Sequence, residues 1–128
     1  MTVAPAAAAT LDVLVAGVRN ATGKVRVAVC SEARFLGTDC EFTAEAPAHP
    51  GDTLVRVAGV PPGIWAVQAF HDENLNTVLD RNLLGLPTEG LGFSNDAKFN
   101  FGPPRWGDAA FRLEPPGGHI RLSLRYLF

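Results

Sequence analysis

Along most of the chain, apolar and polar residues alternate with a period of two. Val25, Val27 and Val29 are interleaved with Lys24, Arg26 and Ala28, and Ile120, Leu122, Leu124 and Tyr126 with His119, Arg121, Ser123 and Arg125. A period of two places alternate side chains on opposite faces of an extended strand, so both segments read as half-buried strands. Segments 11–18, 53–60 and 64–71 are rich in Val, Ile, Trp and Phe, and Phe99, Phe101, Phe111 and Leu113 mark two shorter strands. The pattern therefore predicts about seven strands. Breakers lie between them at Asn20–Gly23, Pro47–Gly51, Pro61–Gly63, Pro103–Pro104 and Pro115–Gly118, leaving room for little helix beyond a turn near Ala33–Leu36. Strands joined by tight turns without crossover helices predict an all-β, antiparallel β-sandwich with immunoglobulin-like architecture.

A length of 128 residues suits one hydrophobic core, and 47% hydrophobic with 19% charged residues suits a chain that folds. The expected organisation is a flexible tail over residues 1–10 and a single domain over 11–128. A formal net charge of -2 with scattered arginines gives no basic field, so no nucleic-acid partner is expected. No apolar run approaches the roughly 20 residues of a membrane-spanning helix, so no membrane span is expected. Met1–Thr10, MTVAPAAAAT, reads as the frayed start of a mature exported protein whose signal was trimmed, or as a plain disordered tail.

Cys30 and Cys40 are too few for a structural zinc site. They read as a disulfide closing a loop over SEARFLGTD, with two unrelated buried thiols as the alternative. A bridge would add on the order of 2 to 3 kcal/mol and requires an oxidising compartment. A periplasmic or secreted location follows as a corollary.

Phe70–Asp80, FHDENLNTVLD, is the stretch richest in candidate chemistry. Asp72, Asn74, Asn76 and Asp80 fall at relative positions 1, 3, 5 and 9, the alternation of the first part of an EF-hand loop. The carbonyl of Val78 would add another oxygen, and Glu89 could supply a missing acid. Thr77 stands where an EF-hand has glycine and Leu83 where it has a bidentate glutamate, so this is not an EF-hand. Two readings stand side by side: a Ca²⁺ site, or a loop whose Asx side chains satisfy its own amides. A catalytic role for these carboxylates is the remaining alternative. His71, at the end of the strand that carries Trp65, is a candidate ligand contact, base or hydrogen-bonded anchor.

The segment Asn82–Trp106 reads as a long loop rich in Leu and Phe. Its apolar side chains either pack on the core as a lid or form a recognition site. In the second case, Phe93 and Trp106 could stack on a small apolar or carbohydrate ligand. For an enzyme, a nucleophile with a positioned base is wanted, and neither Ser94 in GFSND nor the glycine-rich patches provide one. The expected partner is an extracellular protein or a small ligand, and the expected state a monomer or weak dimer.

The stretch PPGIWAVQAFHDENLNTVLDRNLLGLPTEGLGFSNDA resembles the central signature of domain-of-unknown-function family 2141, a family of exported bacterial proteins. The shared parts are a Pro-Gly turn, an aromatic residue, an apolar strand, His-Asp, an Asn-x-Asn loop, Gly-x-Pro-x-Glu-Gly and Gly-Phe-Ser-Asn. A looser likeness extends upstream through Gly23–Cys30 and downstream through Gly102–Phe111. Leu75-Asn76-Thr77 departs from the Gly-Asn-Gly that members often carry, which stiffens this loop. The resemblance implies a transthyretin-like, or prealbumin-like, sandwich and no established activity.

Overall fold

A computed structural model describes residues 8–84, 87–99 and 102–128. Among the described residues, eight strands form two sheets. The first has the order β4-β1-β8, from Gly51–Val60, Ala9–Val18 and Gly117–Ser123. The second has the order β3-β2-β5-β6, from Phe42–Pro47, Lys24–Cys30, Gly63–Asp72 and Leu91–Phe93, with β7 (Phe111–Leu113) pairing the start of β5. A 3₁₀ turn (Ser94–Asp96) and one helical turn, α1 (Trp106–Ala109), complete the elements.

The alternation seen in sequence becomes the two faces of each sheet. Val25, Val27 and Val29 of β2 and Val67 and Ala69 of β5 point inward, against Leu11, Val13 and Val15 of β1 and Val55 and Val57 of β4. Each fully buried valine or leucine contributes about 1.5 to 3 kcal/mol through removal of apolar surface from water. Trp65 is half-buried at the margin of this core. It packs edge-on to Phe42 with centroids 5.5 Å apart and donates its indole N–H to the Pro61 carbonyl at 2.8 Å.

Several expectations need correcting. The sandwich is antiparallel except between β1 and β8, which run parallel from Thr10↔Gly117 to Ala16↔Ser123. β3 and β6 were not foreseen, while Phe99 lies outside the strands; Phe101 falls outside the described residues. β3 escapes because its sequence, FTAEAP, is short and carries small residues. It forms because Phe42, Ala44 and Ala46 face the core opposite Val29, Val27 and Val25. The tail assigned to 1–10 reaches beyond the described residues, but Ala9 and Thr10 belong to β1, where Ala9 is buried and pairs with Val60. A helical turn does follow β2, with the Arg34 and Phe35 amides donating to the Ser31 carbonyl. Cys30 and Cys40 are joined, their Cα atoms 4.7 Å apart.

The turn between β1 and β2 rests directly on the end of β5. Gly23 has φ +73°, and a Cβ there would overlap the Asp72 carbonyl oxygen and lie 2.8 Å from the Glu73 Cα. Gly23→Ala adds a left-handed side-chain penalty to a clash with backbone that cannot yield. It should cost about 3 kcal/mol, measured as a lower urea midpoint with an unchanged slope.

Candidate functional site

β5 carries the chain from the core to the acidic loop. His71, facing inward, is fully buried. Its Nε2 lies 2.6 Å from the Thr22 carbonyl oxygen, which can only accept, so Nε2 bears the proton. Nδ1 then accepts from the Tyr126 hydroxyl at 2.8 Å. Tyr126 in turn accepts from the Arg19 amide and lies beneath the Arg19 guanidinium, which pairs with Glu73 at 2.6 Å. These bonds make His71 an anchor between β5, the first turn and the C-terminal segment.

Asp72 faces outward yet is also fully buried. Its carboxylate accepts from Arg26 Nε at 2.6 Å, from the Thr77 amide at 2.8 Å and from the Asn76 amide at 3.2 Å. Burial works against its charged form, but the Arg26 bond and the two amides outweigh it and hold the carboxyl below the usual carboxylate range. Glu89 closes the other side of the loop, accepting from the Glu73 amide at 2.9 Å and the Asp80 amide at 3.1 Å. Burial pushes its carboxyl up, the amides offset part of this, and the nearby Asp80 and Asp72 add to the rise.

The structure thus brings Asp72, Asn74, Asn76, Asp80 and Glu89 into one loop, joined by hydrogen bonds among themselves. Asn74 and Asn76 donate their side-chain N–H groups to Asp80 at 2.6 and 2.7 Å. The Asn74 Oδ1 accepts from the Asn76 amide and the Asn76 Oδ1 from the Val78 amide, both Asx turns. The Val78 side chain is exposed. Among the described residues no group of three or more His, Cys, Asp or Glu side chains is arranged to hold a metal ion.

Phe93 and Trp106 do not meet across an open site. Phe35, from the disulfide loop, packs edge-on to both, at 5.9 and 5.8 Å. With Ala66, Ala97, Ala109 and Phe99 they form a second, smaller apolar cluster on the outer face of the five-stranded sheet. The segment 82–106 is therefore no bare loop: β6, the 3₁₀ turn and the start of α1 lie within it. Ser94, which offers no nucleophile in the sequence, is fully buried. β5 meets β7 at Gly63–Trp65 and β6 at Gln68–Phe70, and in the gap the Ser94 hydroxyl accepts from the Val67 amide at 2.9 Å and donates to the Ala109 carbonyl at 2.6 Å.

Beside this cluster the same outer face stays open as a cleft of about 600 Å³. Its floor is formed by Arg26 and Ala28 of β2, Thr43 and Glu45 of β3, Gln68 and Phe70 of β5, and Leu91 and Phe93 of β6. Leu36, Gly37, Thr38 and Cys40 form one wall, Thr77, Val78, Leu79 and Arg81 the other. Both walls are tied to the floor. Gln68 accepts from the Leu36 amide at 2.9 Å and donates to the Gly37 carbonyl at 2.8 Å, mimicking a strand partner. Arg26 holds the acidic loop through Asp72 and also pairs with Glu45. Sequence reasoning did not find this cleft. Its one legible trace is Gln68, a polar side chain inside an apolar strand.

Arg26→Met strands the buried Asp72 carboxylate without a counter-charge. The cost should be about 2 kcal/mol at neutral pH, below that of a fully dry pair because 20% of the Arg26 side chain is exposed. Since the native pKa of Asp72 is lowered, the pair's contribution is present above the ordinary carboxylate range and lost as pH falls through the native value. Stability of parent and variant, followed by urea unfolding across pH, should converge as pH falls below the usual carboxylate range and through the lowered native value of Asp72.

The sequence was compared with protein families, curated proteins and solved structures. No curated protein and no solved structure matches it. One family matches residues 13–121, nearly the whole sandwich, from the middle of β1 into β8. By that match the chain belongs to the family described as uncharacterized proteins conserved in bacteria, domain of unknown function 2141.

Proposed function

We propose that the chain is an exported binding module that takes a small, uncharged and largely apolar molecule into the cleft on the outer face of its five-stranded sheet. The observation that carries this reading is the cleft itself. Its volume of about 600 Å³ falls within the range of small-molecule sites. The ligand's chemistry is argued from what lines the floor. Ala28, Phe70 and Leu91 offer apolar surface, while the charged members and Gln68 are already engaged: Arg26 with Asp72 and Glu45, Gln68 with the disulfide-loop wall. A charged ligand would meet two carboxylates already balanced by Arg26 and Lys24, and Arg26, Glu45 and Gln68 would not be free to meet a sugar's hydroxyls. Export is supported by the Cys30–Cys40 disulfide, because such bridges persist in oxidising compartments.

In this reading the acidic loop is a wall that holds itself without metal. The alternation of Asp72, Asn74, Asn76 and Asp80 serves Asx hydrogen bonding, and Glu89 clamps the base of the loop through two amides. Thermal unfolding in EDTA and in millimolar Ca²⁺ should give the same midpoint to within about 1 °C. A rise of several degrees, as expected for a ligand present well above its dissociation constant, would replace this reading of the loop with a Ca²⁺ site.

The binding reading is tested with N-phenyl-1-naphthylamine, a neutral apolar dye that brightens when it leaves water. The parent should bind it at micromolar concentration. Ala28→Trp, which fills the floor from an outward-facing position, should abolish the signal while leaving the melting temperature near that of the parent. No binding by the parent, or equal binding by Ala28→Trp, would sink the proposal.

A further inference from the structure

The two walls of the cleft share an uncommon backbone feature. Leu36 in the disulfide loop has φ 71°, and Thr77 in the acidic loop has φ 66°. In this left-handed region a Cβ crowds the following carbonyl, a cost that glycine avoids. Neither side chain gives the fold an evident return. Leu36 is 43% exposed and stands outside both apolar clusters. Thr77 is exposed, and its hydroxyl reaches only the carbonyl of the adjacent Asn76, at 2.6 Å.

The bonds that seat these residues come from their amides: Leu36 N–H to Gln68 at 2.9 Å and Thr77 N–H to Asp72 at 2.8 Å. Glycine would make both equally well. What the side chains do share is position, since they line the cleft from opposite walls. Leu75 provides the contrast. It lies in the acidic loop with φ 59° and is 53% exposed, but it does not line the cleft.

We infer that Leu36 and Thr77 are specificity-determining contacts of the cleft, side chains held at strained backbone positions because they close on a small apolar ligand from its two sides. This rests on the binding reading above and adds to it which atoms select the ligand. A strained non-glycine residue can be retained for a function, and of the five among the described residues with positive φ (Leu36, Leu75, Thr77, Asn95 and Asp96) Leu36 and Thr77 are the two that also line the cleft.

The experiment pairs N-phenyl-1-naphthylamine titration with thermal unfolding for Leu36→Gly, Thr77→Gly and Leu75→Gly. The first two should bind the dye about tenfold more weakly, the loss expected for one apolar contact, with melting temperatures equal to or above the parent's. Leu75→Gly should match their stability and bind like the parent. Leu36→Asn, whose side chain tolerates the left-handed region, should repeat the weaker binding in a folded protein. Parent-like binding by Leu36→Gly and Thr77→Gly would overturn the inference, as would an equal loss in Leu75→Gly. So would weaker binding accompanied by lower melting temperatures in all cleft variants, which would make the side chains structural. If the parent itself fails to bind, the binding reading falls and this inference with it. If the parent binds and the variants are unaffected, only this inference falls.

Discussion

A carboxylate withdrawn from water must be met by opposite charge or by donors within the protein, and much around the cleft follows from how Asp72 is met. Arg26 approaches it from the neighbouring strand, while the Asn76 and Thr77 amides approach from the loop that Asp72 begins. One side chain thus ties the end of β5 to β2 and folds the following residues back over the sheet. Glu89 repeats the device from the far side with the amides of Glu73 and Asp80. The acidic loop is consequently a fixed wall, and Arg26, placed between Asp72 and Glu45, together with Lys24 on Glu45 balances the charge of the floor beside it.

The five-stranded sheet uses its two faces differently. Its inner face completes the main core. Its outer face is covered at one end by Phe35, Phe93 and Trp106 around Ala66, and left open at the other, where Ala28, Gln68 and Phe70 face outward. The disulfide loop packs through its Phe35 on the covered half and is hydrogen-bonded by Gln68 on the open half, so it borders both. The bridge from Cys30 to Cys40 adds a covalent tie at the same place.

Much of the fold was legible in the sequence because burial on one face of a strand imposes a period of two. Val25, Val27 and Val29 could be assigned before any contact was known. β3 could not, since Ala44 and Ala46 carry so little apolar signal that only their pairing with β2 makes them a strand. The loop from Asp72 to Asp80 was legible from its spacing. Its partner Arg26 was not, because a pair so distant along the chain leaves no local pattern. The cleft was least legible of all: Ala28 and Thr43 contribute by being small, and the absence of bulk has no signature in a linear sequence.

The parallel pairing of β1 with β8 has a consequence for how the chain acquires its shape. Thr10 lies beside Gly117, so the central strand of the first sheet gains its second neighbour from a segment far along the sequence. Contacts this far apart are costly to close in entropy and slow a domain's formation. Until β8 docks, β1 can pair with β4 alone, which leaves its other edge open. A chain cut short of β8 would therefore carry an unpaired β1 edge in its first sheet, open to pairing with another chain.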